Sequence, residues 1–232
     1  MEPHHILPHT RFAVDPALDI KGYEGIKHLL PSLCPSFVLP ANQKEVITRV
    51  ETAHTQHAEA FRTHTALVAR EWQTKEGEFF RLAGTLFSIQ DFPEETYTCY
   101  PTIWPLIARD PEAHTIAFPY NALAEEACHV IAHELLHELF FHHLWNTFGE
   151  TIDLNSQHIW DLSEVVNVLI LRSEEWQAVF PFPVAPYPQH ETLLQQMEPL
   201  WNENHGIADL VHSELKQRNS EGSSHADRMC TM

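Results

Sequence analysis

The chain has 232 residues and a formal net charge of -18, from 14 basic and 32 acidic side chains. A surface this acidic repels phosphate backbones and anionic lipids, so we expect neither nucleic acid nor a membrane as a partner. Hydrophobic residues make up 44% of the chain, which is enough for a sizeable core. The four cysteines form no CxxC pair, and the first residues lack the apolar run of a signal peptide. These features predict a cytoplasmic protein.

The first 95 residues are predicted to be mostly helical. Residues 1–22 show no clear periodicity, so we expect an irregular arm there, followed by a short helix from Tyr23 to Leu30. Apolar side chains then recur at three- and four-residue steps from Asn42 to about Thr74, and again from Glu76 to Ile89. That spacing is typical of helices that bury one face, and it predicts one long helix in each segment.

The pattern changes after residue 95, where short segments favour strands. Thr96–Ile103 and Thr115–Tyr120 are rich in β-branched and aromatic residues, which predicts two strands. Pro119 favours an edge position for the second strand, because proline cannot donate a hydrogen bond to a central ladder.

Three helices are predicted in the second half of the chain. The longest runs from about Ala122 to Phe148, with Asn121 as the expected N-cap and Gly149 as the stop. A polar loop separates it from a helix over Asp161–Trp176. A last helix is expected from Glu191 to about Gln217, with Asn202–Gly206 as a possible interruption.

The longest predicted helix contains the sequence His133-Glu134-Leu135-Leu136-His137. A helix places residues four apart on one face, ~6 Å along its axis, so both histidines can bind one tetrahedral ion. Glu134 lies ~100° round the helix from His133 and can reach a water at the open position of that ion. With 18 histidines in the chain a chance HExxH is expected ~0.1 times, but the apolar helix around this one favours a functional site. The sequence therefore predicts a zinc site with His133 and His137 as ligands and Glu134 as the base.

A catalytic zinc usually takes a third protein ligand, and the sequence offers three candidates. His143 lies ten residues after His133, but Phe140 occupies the position where that spacing needs a helix-ending glycine. If the helix continues, His143 points away from the motif face. Glu164 lies on the next predicted helix, beyond a loop long enough to reverse direction. We favour Glu164, with Asp161 one turn earlier as the alternative.

An HExxH helix followed by a helix that carries a glutamate resembles the gluzincin-type zinc metallopeptidases of the zincin superfamily. The resemblance covers roughly Thr115 to Glu175, about a quarter of the chain. The usual ExxxD or ExxSD continuation is absent, although Asn167 stands where many members carry a residue that supports a zinc histidine. The resemblance implies Zn²⁺ as cofactor and a peptide or protein as substrate, bound as an added strand along Ile116–Tyr120. It also implies that the motif glutamate deprotonates a zinc-activated water and passes the proton to the leaving amine.

The same resemblance implies that a tyrosine or histidine stabilises the oxyanion. Four downstream residues are candidates, and the sequence does not choose among them: Tyr187, His190, His158 and His205.

These features predict an α+β, predominantly helical fold: a zincin-like domain with a small sheet, an active-site helix and a glutamate helix. We expect a single domain over 1–216, with a helical part (1–95), a metal-binding catalytic core (96–180), a C-terminal helical part (181–216) and a disordered tail (217–232). The predicted function is zinc metallopeptidase. Two alternatives stay open: a non-peptidase zinc hydrolase, and a non-catalytic helical interaction protein with a structural metal.

Overall fold

A computed structural model of the protein describes residues 7–89, 92–203 and 206–216. The predicted tail, 217–232, lies outside these residues. Helices dominate the described chain, and a small mixed sheet of four strands lies among them, which confirms the predicted α+β class. Within the same residues, no helix is both long and apolar enough to cross a bilayer.

The sheet is built from short strands. They are β1 (His9–Phe12), β2 (Thr96–Thr102), β3 (Arg109–Asp110) and β4 (Thr115–Pro119).

Helices precede the sheet and follow it. They are α1 (Pro16–Ile26), α2 (Leu30–Leu33), α3 (Gln43–Gln56), α4 (Ala58–Gln73), α5 (Glu76–Leu86), α6 (Ala124–Phe148), α7 (Gln157–Arg172), α8 (Glu174–Val179) and α9 (Glu191–Glu203), and residues 207–216 are also helical.

The strand order in the sheet is β1-β2-β4-β3. The first three strands in this order are parallel, and β3 runs antiparallel to β4. The prediction that Pro119 marks an edge strand is therefore wrong, because β4 lies between β2 and β3. Pro119 is tolerated because it ends β4, beyond Thr115 and Ile116, the two residues that pair with β3.

The N-terminal region is more regular than predicted. Strand β1 pairs with β2 through the register His9 to Thr96, a partner that is distant in sequence. Helix α1 begins at Pro16, seven residues before its predicted start, because Asp15 caps it by accepting a hydrogen bond from Ala17 N at 2.8 Å. The predicted irregular arm is thus wrong for residues 9–12 and 16–22.

The long predicted helix 42–74 is two helices. The helical conformation is interrupted at His57, whose φ of -113° and ψ of 22° are not helical. Helix α3 ends before this residue and α4 begins after it. The break is not visible in the sequence because the apolar spacing continues across it.

Helix α6 is the central element of the fold and agrees with its prediction to within two residues at its start. Its N-cap is Leu123, which provides no side-chain bond, so the expected cap at Asn121 is wrong. Its end at Gly149 is confirmed, with a φ of +54° that favours glycine. The helix packs on β4, α4 and α7, and its buried side chains join a core that extends from Val68 to Val211.

A second hydrophobic cluster lies where α1 and α3 meet the end of β2. The fully buried Asp19 connects these elements, since its carboxylate accepts a hydrogen bond from Thr102 Oγ1 at 2.6 Å and contacts His54 Nε2 at 3.2 Å. The Asp19 backbone carbonyl accepts a further bond from Trp104 Nε1 at 2.9 Å. These contacts fix the chain as it leaves β2 and enters the turn at 105–107.

Candidate metal centre

Two packed helices supply the candidate site. Helix α6 contributes His133, Glu134 and His137, and α7 contributes Glu164. Helix α7 begins earlier than predicted, after Ser156, whose side chain accepts a hydrogen bond from Ile159 N at 3.4 Å. Most of α7 is buried, so its position against α6 is fixed by packing on both sides.

The predicted ligands come together in space. His133 Nε2 and His137 Nε2 are 3.0 Å apart. Glu164 places Oε2 3.4 Å from His133 Nε2 and Oε1 3.6 Å from His137 Nε2. Ligand atoms held at zinc bond lengths in a tetrahedron are about 3.3 Å from one another. The three side chains therefore fit one tetrahedral ion, and the two-histidine, one-carboxylate donor set is one that zinc accepts.

The electrostatics of the cluster favour an ionised carboxylate between the two rings. Burial raises the pKa of Glu164, but hydrogen bonds to His133 and His137 outweigh burial and hold that pKa well below its usual range. Burial lowers the pKa of the fully buried His137 and favours its neutral form. Burial also lowers the pKa of His133, but the hydrogen bond to Glu164 and the charge of Glu134 outweigh burial and raise it, so His133 gives up a proton when it binds a metal. An ionised glutamate and a neutral imidazole are the forms that bind a metal.

The orientation of His137 comes from stacking. Its ring lies against the indole of Trp160, with 5.2 Å between ring centroids and 14° between planes. Asn167, which the sequence analysis suggested as a support for a zinc histidine, donates from Nδ2 to the backbone carbonyl of His133 at 3.0 Å. Asn167 thus supports the helix that carries the ligand, and its contact is to the backbone rather than to a ring.

Glu134 faces a cleft beside the cluster and lies next to an arginine that the sequence analysis missed. Arg109 on β3 places Nε 3.5 Å from Glu134 Oε2 and Nη1 3.0 Å from Glu138 Oε1. The guanidinium also lies 5.9 Å from the centre of the Trp160 ring. The three charged side chains are only 11–16% exposed, so the arrangement is well defined. A two-residue strand gives no recognisable sequence signal, and nothing in the sequence could have placed Arg109 here.

The two competing ligands lie elsewhere. The ring of His143 packs against Phe87, with centroids 5.9 Å apart, and it is absent from the metal cluster found in the described residues. Asp161 contacts His190 Nε2 at 3.2 Å and accepts a hydrogen bond from Gln157 Nε2 at 2.8 Å. Of the three candidates, Glu164 alone completes the pair of histidines.

The cleft over the cluster has a volume of about 670 Å³, within the range of small-molecule and peptide-side-chain sites. Of the oxyanion candidates, Tyr187 and His190 line this cleft. His158 instead contacts Glu214 Oε2 at 3.0 Å. His205 lies outside the described residues.

No family model matches the chain, and comparisons with curated proteins and with solved structures give no match either. The geometry of the site is therefore what indicates a function.

Proposed function

We propose that the protein is a zinc-dependent metallopeptidase with a zincin-like catalytic core. The observation that carries the proposal is the meeting of His133, His137 and Glu164 around one tetrahedral position, with Glu134 beside it in a cleft. The cluster unites two helices separated by a loop. A chance HExxH motif gives no reason for the next helix to direct a buried carboxylate at both rings.

The chemistry assigns each side chain a separate task. Zinc, when bound, polarises a carbonyl oxygen and lowers the pKa of a water. Glu134 takes a proton from the attacking water while the oxygen of that water bonds to the scissile carbon. As the carbon–nitrogen bond breaks, Glu134 gives that proton to the leaving amine. Arg109 holds the Glu134 carboxylate at the cleft, and Glu138 fixes the other end of the guanidinium.

The number of protein ligands distinguishes a catalytic metal from the structural metal of the non-catalytic alternative. Structural zinc sites are closed by four protein ligands, whereas catalytic sites keep one position open. In the part of the chain that the structure describes, the cluster has three members and borders the cleft. This arrangement favours catalysis over a structural metal.

Tyr187 is our candidate for the oxyanion-stabilising residue. A phenol with the ordinary tyrosine pKa of about 10 keeps its proton at neutral pH, and burial together with the charges of Glu164 and Glu134 raises the pKa of Tyr187 further. His190 lines the same cleft, but its Nε2 is engaged by Asp161. Of the two cleft-lining candidates, we therefore favour the phenol as the donor.

Replacing Tyr187 by phenylalanine is expected to lower kcat about 100-fold, because the variant loses one hydrogen bond to the developing oxyanion. KM and zinc content should change little. The control is Tyr120→Phe, since that ring stacks on Phe61 at 5.0 Å and does not line the cleft. Steady-state kinetics that show equal kcat in the Tyr187 variant and the wild type would remove this role.

Removing the metal tests the proposed function directly. The purified protein should hold about one zinc per chain and cleave members of a quenched-fluorescent peptide library. Treatment with a chelator should abolish cleavage, and zinc should restore it. Magnesium should not, because it prefers six oxygen ligands. Cleavage that persists in protein shown by elemental analysis to be free of metal would refute the proposal.

A further inference from the structure

The wall of the cleft that faces the metal cluster is apolar. It is formed by Ile26 at the end of α1, Leu29 just before α2, Leu33 on α2, and Leu106 and Ile107 in the loop after β2. Leu29 is 40% exposed and Leu33 is 54% exposed. Large aliphatic side chains that remain exposed beside polar groups are typical of a binding surface.

The wall has a rigid support. Ile26 belongs to the second hydrophobic cluster, and Leu106 and Ile107 pack against it. The contacts of Asp19 fix the turn through Trp104, which lies just before the wall residues. This part of the wall is preformed and loses little freedom when a ligand binds, which lowers the entropic cost of binding.

Charged groups in the cleft are already engaged by one another. Among the described residues that line it, Arg109 is the one lysine or arginine, and it contacts both Glu134 and Glu138. Asp161 Oδ1 contacts His190 Nε2 at 3.2 Å and accepts a hydrogen bond from Gln157 Nε2 at 2.8 Å. Among the described residues, the cleft thus offers a terminal carboxylate no lysine or arginine that lacks an acidic partner, and each of its carboxylates, Glu134, Asp161 and Glu164, already contacts a basic side chain.

Strand β4, along which the resemblance placed the peptide, is not an edge strand, because it lies between β2 and β3. Helix α1 packs against β3, and Lys21 Nζ lies 2.6 Å from Asp110 Oδ2 on that strand. Binding of an extended peptide as one more strand, which the sequence resemblance implied, is therefore not favoured beside the cluster. A substrate held here needs another source of affinity, and the apolar wall provides it.

We propose that the apolar wall selects peptides with a large apolar side chain next to the reacting carbonyl, away from the charged termini. This inference rests on the proposed function, because it places the substrate at the same site. The side chain packs on Leu29 and Leu33 while the carbonyl faces the metal cluster.

Three hydroxamates test the wall without requiring turnover: N-acetyl-leucine hydroxamate, N-acetyl-glycine hydroxamate and unblocked leucine hydroxamate. Calorimetry on the zinc-loaded protein should show that the blocked leucine probe binds at least about tenfold more tightly than the glycine probe. The unblocked leucine probe should bind no more tightly than the blocked one. Leu29→Ser and Leu33→Ser should each lower the leucine preference about fivefold.

The matched control is Leu67→Ser on α4, because Leu67 is also exposed, at 42%, but does not line the cleft. It should keep the full leucine preference, and thermal melting should show that all three variants fold. Equal binding of the leucine and glycine probes, failure of the blocked leucine probe to bind, or an unchanged preference in both wall variants would each overturn the inference.

The experiments distinguish an error in the proposed selectivity of the wall from an error in the proposed peptidase function. Cleavage of peptides without a leucine preference would refute the wall and leave catalysis intact. A leucine preference in a zinc-loaded protein that cleaves no peptide would support the wall and refute the peptidase proposal.

Discussion

Replacing Glu134 by glutamine is expected to lower kcat/KM for peptide cleavage about 10²- to 10⁴-fold, the usual contribution of a general base. The amide keeps the shape of the side chain but cannot accept the proton of the attacking water. Zinc content and melting temperature should not change, because Glu134 is not one of the three clustered ligands. Its contact with Arg109, at 3.5 Å, is longer than a charged hydrogen bond, and in the variant Arg109 keeps its shorter contact with Glu138, at 3.0 Å, so no charge is left unpaired.

Glu138→Gln is the matched control for this prediction. Glu138 lies one turn further along α6, contacts the same arginine at 3.0 Å and does not line the cleft. The substitution removes a carboxylate from Arg109 without removing the base, so we expect kcat/KM to fall less than about tenfold. If both variants lose activity equally, the effect comes from the ion pairs, and Glu134 is not the base. Full activity in Glu134→Gln would refute the mechanism outright.

Local features of the site follow from the sequence. The spacing of His133 and His137 puts both rings on one helical face, and the apolar residues between them bury that helix. Gly149 ends α6 as expected, because few other residues tolerate its positive φ. The choice of Glu164 over His143 also follows, since Phe140 lets α6 continue and carries His143 away from the site.

Features that depend on contacts between distant parts of the chain cannot be predicted from the sequence pattern. Strand β1 forms only because residues 96–99 offer a partner, and its four residues are too few for a recognisable pattern. Arg109 reaches Glu134 because β4 positions β3, which depends on sheet register and not on local sequence. The break at His57 is equally invisible, because apolar residues continue at helical spacing on both sides of it.

The assignment of the third ligand leads to the other large effect. Glu164→Gln is expected to weaken zinc binding by more than about 100-fold, beyond the loss typical of groups that only orient a ligand. The carboxylate is 10% exposed and lies between the two histidine nitrogens, at 3.4 and 3.6 Å. A neutral amide of the same size occupies that position without the charge that attracts the ion. Competition with a chromogenic zinc chelator measures the change.

Asp161→Asn is the control, because Asp161 was the alternative ligand and lies one turn earlier on α7. It contacts His190 and Gln157 and is absent from the metal cluster found in the described residues, so zinc affinity should stay within about threefold of wild type.

Zinc-dependent stability provides a second measurement. A ligand at 100 times its Kd stabilises a protein by about 2.7 kcal/mol, so zinc should raise the melting temperature of the wild type and of Asp161→Asn but hardly that of Glu164→Gln. Equal zinc affinity in Glu164→Gln and wild type would remove Glu164 from the ligands. A loss confined to Asp161→Asn would transfer the role to Asp161, whose release from His190 would then have to accompany metal binding.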